Sequence, residues 1–134
     1  MKDTVEKPDQ ANDKEIWIKE NHLYLGDHSI IYDIAKGDTD EAIASGIKEG
    51  VLSLASLCRG TANLFVDLSN AGKPTPAARK IYLSITENVK IGKIALVGLN
   101  PVARVLASSL TTISGKRDLR FFKNKDDAIT WLKS

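Results

Sequence analysis

Residues 64–76 read LFVDLSNAGKPTP, and this stretch decides the fold. The nearly continuous apolar run from Leu64 to Leu68 is typical of a strand that is covered on both faces. Thr75 and Pro76 provide a helix N-cap and a first-position proline, so a helix is predicted to begin there. The polar residues between them, SNAGKP, are expected to form a loop. The stretch therefore predicts a buried strand that leads into a crossover helix.

The same unit recurs along the chain. Ile94 to Gly98 is a second buried-type strand, followed by an Asn100-Pro101 helix start. A final strand is expected at 119–122 and a short helix from Asp126. Upstream, an amphipathic helix is predicted from Thr39-Asp40-Glu41 to about Arg59-Gly60. Alternating residues between 16 and 34 predict two or three strands, the last stopping at residues 36–38.

The order β-β-β-α-β-α-β-α-β-α indicates an α/β fold with a mixed sheet covered by helices. Right-handed crossover connections require parallel pairing in the second half of the sheet. An antiparallel hairpin is expected to form one edge in the first half.

Composition limits the class of protein. The 134 residues, 43% of them hydrophobic, are enough for one domain, which we place at 15–134 behind a disordered tail at 1–14. A formal charge of +2 is too small for the electrostatic footprint of nucleic-acid binding. The apolar runs are too short for a membrane span, and the single cysteine cannot form an internal disulfide. A cytoplasmic protein is expected.

Two similar helix starts are the candidate binding features. They are Thr75-Pro-Ala-Ala-Arg79 and Asn100-Pro-Val-Ala-Arg104, each placed after a strand. Each arginine is expected one turn into its helix, near the carboxyl end of the sheet, where open α/β sheets bind ligands and helix N-termini attract anions. The sequence leaves two interpretations open: a site for an anionic or phosphorylated partner, or solvated arginines on good helix starts.

Asp67 and Trp17 also have two interpretations each. Asp67 stands out as a carboxylate in a buried-looking run; it either faces Thr75 or Arg79 at a binding surface or caps a turn. Trp17 alternates away from Ile16 and Ile18, so it is either an exposed interface anchor on an edge hairpin or a buried residue of a covered sheet.

The chemistry-bearing residues do not assemble into a catalytic or metal site. His22 and His28 are expected in loops without further ligands, so no metal or other cofactor is expected. Cys58 falls on the apolar face of the first helix, as a core thiol does. The serines lack a G-x-S-x-G elbow and a late histidine base. We therefore expect a protein that is not an enzyme.

A family resemblance rests on three stretches. They are Leu64-Phe-Val-Asp-Leu-Ser69, Gly92-Lys-Ile-Ala-Leu-Val-Gly98, and the closing Arg120-Phe-Phe strand with its Ala-x-x-Trp-Leu132 helix. Together they resemble the SpoIIAA-like branch of the STAS/SEC14 fold, found in bacteria, over about residues 15–134. The V-D-L-S strand is shared with STAS anti-sigma-factor antagonists, in which an Asp-Ser-Ser-Gly helix start carries a serine that a partner kinase phosphorylates.

The resemblance implies a regulatory module that binds a protein, for example a regulatory kinase or an anti-sigma-like factor. This chain has Thr75-Pro76-Ala77-Ala78 at the matching helix start, so the phosphoacceptor serine is absent and Thr75 is the remaining candidate for phosphorylation. Partner binding is expected through Lys73, Thr75, Arg79, Asn100 and Arg104. The edge hairpin also makes the chain a candidate homodimer. The alternative is a small-ligand or lipid-binding module like the SEC14 relatives of this fold.

Overall fold

The computed structural model describes residues 14–98 and 118–134. They form a six-stranded sheet whose strands lie side by side in chain order. The strands are β1 (Glu15–Ile18), β2 (Asn21–Leu25), β3 (Ile30–Thr39), β4 (Ala62–Pro74), β5 (Ile91–Val97) and β6 (Leu119–Phe122). The helices are α1 (Glu41–Ala55), α2 (Pro76–Thr86) and α3 (Lys125–Lys133).

Strand directions divide the sheet into two parts. β1, β2 and β3 pair antiparallel, whereas β3, β4, β5 and β6 pair parallel. The mixed α/β sheet, its edge hairpin and its parallel half are therefore confirmed. The helix expected after Asn100 lies outside the described residues, and so does the predicted tail except for Lys14. None of the helices in the described ranges is long and apolar enough to cross a bilayer.

The starts of α1 and α2 have the expected caps, whereas α3 begins at Lys125, one residue before the predicted start, with Asn124 as its cap. Asp40 Oδ1 accepts from the Ile43 N–H at 2.9 Å, and Thr75 Oγ1 accepts from the Ala78 N–H at 3.1 Å. Helix α1 ends at Ala55, before the predicted end near residues 59–60. After Ala55 the backbone bonds tighten to a spacing of three, including Cys58 N–H to the Ala55 carbonyl, so the apolar pattern continues through turns.

The sheet separates two cores because successive strand residues point to opposite faces. On one face, Leu64, Val66 and Leu68 of β4 pack with α1 and α2. On the other face, Phe65 packs in a smaller cluster with α3. The Asn63 side chain donates to the Leu132 carbonyl at 2.9 Å and so ties the end of α3 to β4.

Two predictions are wrong: residues 69–74 (SNAGKP) form part of a strand and not a loop, and the third strand continues past residues 36–38. Strand β4 runs to Pro74 and pairs with β3 beyond the rest of the sheet, with Lys36 opposite Asn70 and Thr39 opposite Pro74. We call residues 36–39 and 70–74 the β3–β4 extension. Its hydrogen bonds override the turn-forming composition of both segments, because Asp38 Oδ1 accepts from the Lys73 backbone N–H at 2.8 Å.

Candidate functional site

The β3–β4 extension positions the start of α2. The Thr75 N–H donates to the Thr39 carbonyl at 2.9 Å, which fixes the cap residue to the end of β3. Gly72 allows this close approach, since a Cβ at this position would lie 2.7 Å from the Asp38 nitrogen. Thr75 itself is exposed, with its hydroxyl engaged as the N-cap acceptor. The start of α2 therefore presents an exposed threonine that is hydrogen-bonded to the β3–β4 extension.

Three of the five sequence-predicted binding residues come together here. Arg79 is exposed, and its Nη1 donates to the Pro74 carbonyl at 3.2 Å, so the guanidinium folds back over the helix start. Lys73 is also exposed and lies two residues before Thr75. We call Lys73, Thr75 and Arg79 the cap surface. It combines two cationic side chains with one hydroxyl. Asn100 and Arg104 lie outside the described residues.

Asp67 does not join the cap surface. Its Oδ1 accepts from the Ser69 N–H at 2.9 Å inside β4, where the pairing with β3 shifts register, so Asp67 does not cap a turn after the strand as the second interpretation expected. Asp67 borders an open cleft of about 410 Å³ at the ends of β4 and β5, with Lys123 and Lys125 at the start of α3. The Lys125 Nζ lies 5.6 Å from the Tyr32 ring centre. This cleft is open to solvent and has both polar and apolar lining residues, including Phe65 and Val97.

The buried carboxylate of the sheet is Asp33, which sequence reasoning missed. It is 6% exposed, whereas Asp67 is partly exposed, so the expectation that Asp67 is the embedded carboxylate is wrong. Strand alternation places Asp33 on the same face as Ile31 and Ala35, and the structure shows that this face packs against the helices. Asp33 Oδ1 is a buried side-chain oxygen without a hydrogen-bond partner among the described residues.

Asp33 lines a small cavity between the sheet, α1 and α2. The cavity has a volume of about 60 Å³, with Thr39, Tyr82 and Thr86 as further polar side chains on its wall. Its apolar wall is formed by Val51, Leu64, Val66, Leu68, Ile85, Ile94 and Leu96, together with smaller residues. The space is large enough for a few water molecules. A single acidic group therefore faces a mostly apolar enclosure.

Burial raises the pKa values of two side chains that line this cavity. It raises the pKa of Asp33 from 3.8 to about 7, and the negative charge of Asp67 adds to the effect. Burial also raises the pKa of Tyr82 to about 12; a hydrogen bond with Thr39 acts in the opposite direction, and the Asp33 charge raises it further. The Asp33 carboxyl therefore holds its proton to a much higher pH than an exposed aspartate does.

The other singled-out residues have structural contacts. His22 lies in strand β2 and not in a loop, where its Nε2 meets Glu15 Oε2 at 2.5 Å. His28 lies in a short helical turn with a φ of 63°. Cys58 follows α1 and packs against the larger core. Within residues 14–98 and 118–134, the structure contains no group of three side chains that could hold a metal ion.

Trp17 is exposed on the edge strand, so it is not a buried residue of a covered sheet, and its role as an interface anchor stays a prediction. Its side chain is 59% exposed, and its ring stacks on His22 with centroids 4.1 Å apart. Ring contacts continue across the sheet: Tyr24 stacks on Tyr32, whereas the His22–Tyr24 and Tyr32–Phe65 pairs are tilted by 40° and 50°. We call these five rings the aromatic row.

The fold and the matched sequence define the class of protein. A sequence model of the SpoIIAA-like family matches residues 29–133, from the end of the β1–β2 hairpin to the last helix. The chain belongs to the SpoIIAA-like family. A comparison with curated proteins finds no match.

Two solved structures share this fold. One is an uncharacterized protein with a SpoIIAA-like fold from Shewanella loihica PV-4, 14% identical, with a TM-score of 0.62 over 84% of this chain and 91% of that chain. The other is a provisionally assigned anti-sigma factor antagonist from Thermotoga maritima, 18% identical, with a TM-score of 0.63 over 84% of this chain and 93% of that chain. At these identities the likeness concerns the fold alone.

Proposed function

We propose that this chain is a cytoplasmic, non-enzymatic regulatory module that binds a protein partner through the cap surface, with Asn100 and Arg104 contributing from the next helix start. The observation that carries the proposal is the exposed Thr75 hydroxyl between Lys73 and Arg79 on the β3–β4 extension. Membership of the SpoIIAA-like family supports a regulatory role. The anti-sigma factor antagonist among the similar folds supports a protein partner, of which a regulatory kinase or an anti-sigma-like factor is the expected type.

The chemistry of the cap surface favours an acidic partner surface. Arg79 presents a planar donor set that matches carboxylates, and Lys73 adds a second positive charge. Thr75 lies at the positive end of the α2 dipole, so a phosphate attached there would be favoured by the helix while cancelling most of the local positive charge. Phosphorylation of Thr75 would then release an acidic partner.

Two matched substitutions at Thr75 test this function. Aspartate and asparagine both cap helices well, so Thr75→Asp and Thr75→Asn should leave folding nearly unchanged and differ only in charge. We expect Thr75→Asp to weaken partner binding about tenfold or more, and Thr75→Asn to bind within about twofold of wild type. The measurement is isothermal titration with the partner captured from the native host.

Two results would contradict the proposal. The first is equal affinity of the aspartate and asparagine variants, which would remove Thr75 from the interface. The second is an Arg79→Glu variant that binds as well as wild type. Mass spectrometry of the protein isolated from its host should also detect a phosphate on Thr75 in part of the population.

A second candidate function is supported by the cavity at Asp33. An apolar enclosure with a few convergent polar groups is the form of a small-ligand site, as in the lipid-binding relatives of this fold. However, about 60 Å³ is well below the roughly 300 Å³ at which ligand pockets usually begin. A lipid would fit only if α1 and α2 moved apart.

Organic extraction of protein purified from its host separates the two functions. The regulatory function predicts no stoichiometric lipid by mass spectrometry, whereas a ligand-binding module predicts one. In the second case, replacing a cavity-wall residue, as in Val66→Phe, should abolish the co-purified lipid while Thr75→Asp leaves it in place.

A further inference from the structure

The cavity at Asp33 contains an acidic group that the surrounding side chains do not neutralise. Asp33 is 6% exposed, and its Oδ1 has no hydrogen-bond partner among the described residues. A buried polar atom without a partner destabilises a fold, and a buried charge without a counter-ion does so more strongly. Because this carboxyl lies on the wall of a cavity, a molecule inside the cavity can reach it.

The charges around Asp33 favour a positively charged occupant. None of the described residues that line the cavity carries a positive charge. Helix α2 contributes the Tyr82 phenol, which stays neutral because burial raises its pKa to about 12. Asp67 on β4 adds negative charge, whereas α1 and β5 contribute aliphatic side chains to the wall. A cation would therefore supply the counter-charge that the ionised carboxyl lacks.

The wall of the cavity offers acceptor oxygens on a mostly aliphatic surface. Asp33, Thr39, Tyr82 and Thr86 contribute the oxygens. Thr86 Oγ1 donates its proton to the Leu83 carbonyl at 2.6 Å, which leaves its lone pairs available to accept. An ammonium group has three donors and no acceptor, so it suits such a set of oxygens. A short carbon chain on the same ion suits the aliphatic part of the wall.

Size and access limit the length of that chain. A volume of about 60 Å³ holds only a few non-hydrogen atoms, since one water molecule occupies about 30 Å³ in the liquid. Ala71, Gly72 and Pro74 of the β3–β4 extension line the cavity and are only half-buried, so the cavity approaches the surface there. A small ion can therefore enter without the separation of α1 and α2 that a lipid requires.

We propose that this cavity is a binding site for a short primary alkylammonium ion, whose ammonium group pairs with the Asp33 carboxylate and whose carbon chain lies against the aliphatic wall. The inference rests on the second candidate function, the ligand-binding module, and changes its ligand from a lipid to a small cation. It does not involve the cap surface. The affinity that each ligand atom can provide is limited, so a dissociation constant on the order of 1 mM or weaker is expected.

Titration with ethylammonium chloride at constant ionic strength tests the site. In NMR spectra of isotope-labelled protein at about pH 8, the amide signals of Thr39 and Thr86 should shift and saturate. Ethanol has nearly the same size without the charge, so it should bind at least about tenfold more weakly. At about pH 6 the Asp33 carboxyl is mostly protonated, so ethylammonium should bind about tenfold more weakly than at about pH 8.

Two substitutions separate the charge of the site from its space. Asp33→Asn keeps the shape of the side chain and removes the charge, so binding of ethylammonium should weaken at least about tenfold. Ala71→Leu leaves Asp33 unchanged and fills the half-buried side of the cavity, so it should also prevent binding. Asp126→Asn and Ala42→Leu make the same changes at exposed positions and should bind like wild type. The dispersion of the amide signals reports whether each variant is folded.

Either of two results would overturn the proposal. One is the absence of saturating shifts up to about 100 mM ethylammonium, which is expected if the cavity holds water alone. The other is equal binding of ethanol and ethylammonium, or unchanged binding by Asp33→Asn, because the site would then not recognise charge. Neither result affects the cap surface, which the Thr75 variants test with a protein partner. A co-purified lipid together with no response to ethylammonium would support the lipid-binding candidate instead.

Discussion

Asp33 shows how one side chain can couple folding to pH. Its folded-state pKa of about 7 lies above the ordinary value of 3.8 because the carboxyl is buried away from water. The folded protein therefore retains a proton that the unfolded chain has released. Its contribution to stability is fully present below about pH 4, declines as the pH rises towards 7, and is lost above the folded-state pKa.

Asp33→Asn should remove this dependence. The amide has nearly the same shape and never ionises, so the variant gains on wild type as the pH rises. The difference in unfolding free energy between variant and wild type should grow by an amount on the order of 4 kcal/mol between pH 4 and pH 8. Urea unfolding at several pH values measures it. Asp126→Asn, the same change of atoms at an exposed position, is the control, and a flat difference for Asp33→Asn would contradict the burial argument.

At the scale of elements, the β3–β4 extension is the unusual part of this fold. Ordinary parallel strands end where the sheet ends, and a loop then leads to the helix. Here two strands continue as a pair, joined by the Asp38 carboxylate and the Lys73 N–H, before α2 begins at Pro76. The start of α2 is therefore held in place by backbone pairing.

Gly72→Ala tests this element. A methyl group at this position would lie 2.7 Å from the Asp38 nitrogen, so the two strands must separate locally. We expect a loss of about 2 kcal/mol in unfolding free energy, within the range for overpacking. Gly60→Ala is the matched control, because no atom lies within 4 Å of its added methyl. Equal stability of the two variants in urea unfolding would show that the extension is not tightly packed.

The β3–β4 extension is also the secondary structure that could not be predicted from the sequence. The caps at Asp40 and Thr75 were predictable because they depend on neighbouring residues only. The strand pairing of residues 70–74 was not, because Gly72 and Pro74 are turn-forming residues and the partner Asp38 lies 35 residues away from Lys73. The residues of the candidate site could thus be predicted from the sequence, whereas the β3–β4 extension that positions them could not.

At the scale of the whole molecule, the order of elements followed from periodicity. Alternation in residues 16–34 and helical spacing after Asp40 distinguish strands from helices, and the crossover rule then gives the parallel half. The burial of Asp33 did not follow, because assigning its face requires knowing which side of β3 the helices cover. The same knowledge is needed to see that Trp17 lies on an edge and outside the two cores.

The separation of the two tryptophans has a practical consequence. Trp17 lies on the first strand of the sheet, whereas Trp131 lies on α3 beside Phe122 and under the Arg120 guanidinium. Their fluorescence therefore samples opposite ends of the molecule. Replacing either one with phenylalanine leaves a single built-in optical probe, one for opening of the edge hairpin and one for detachment of the last helix, without any attached dye.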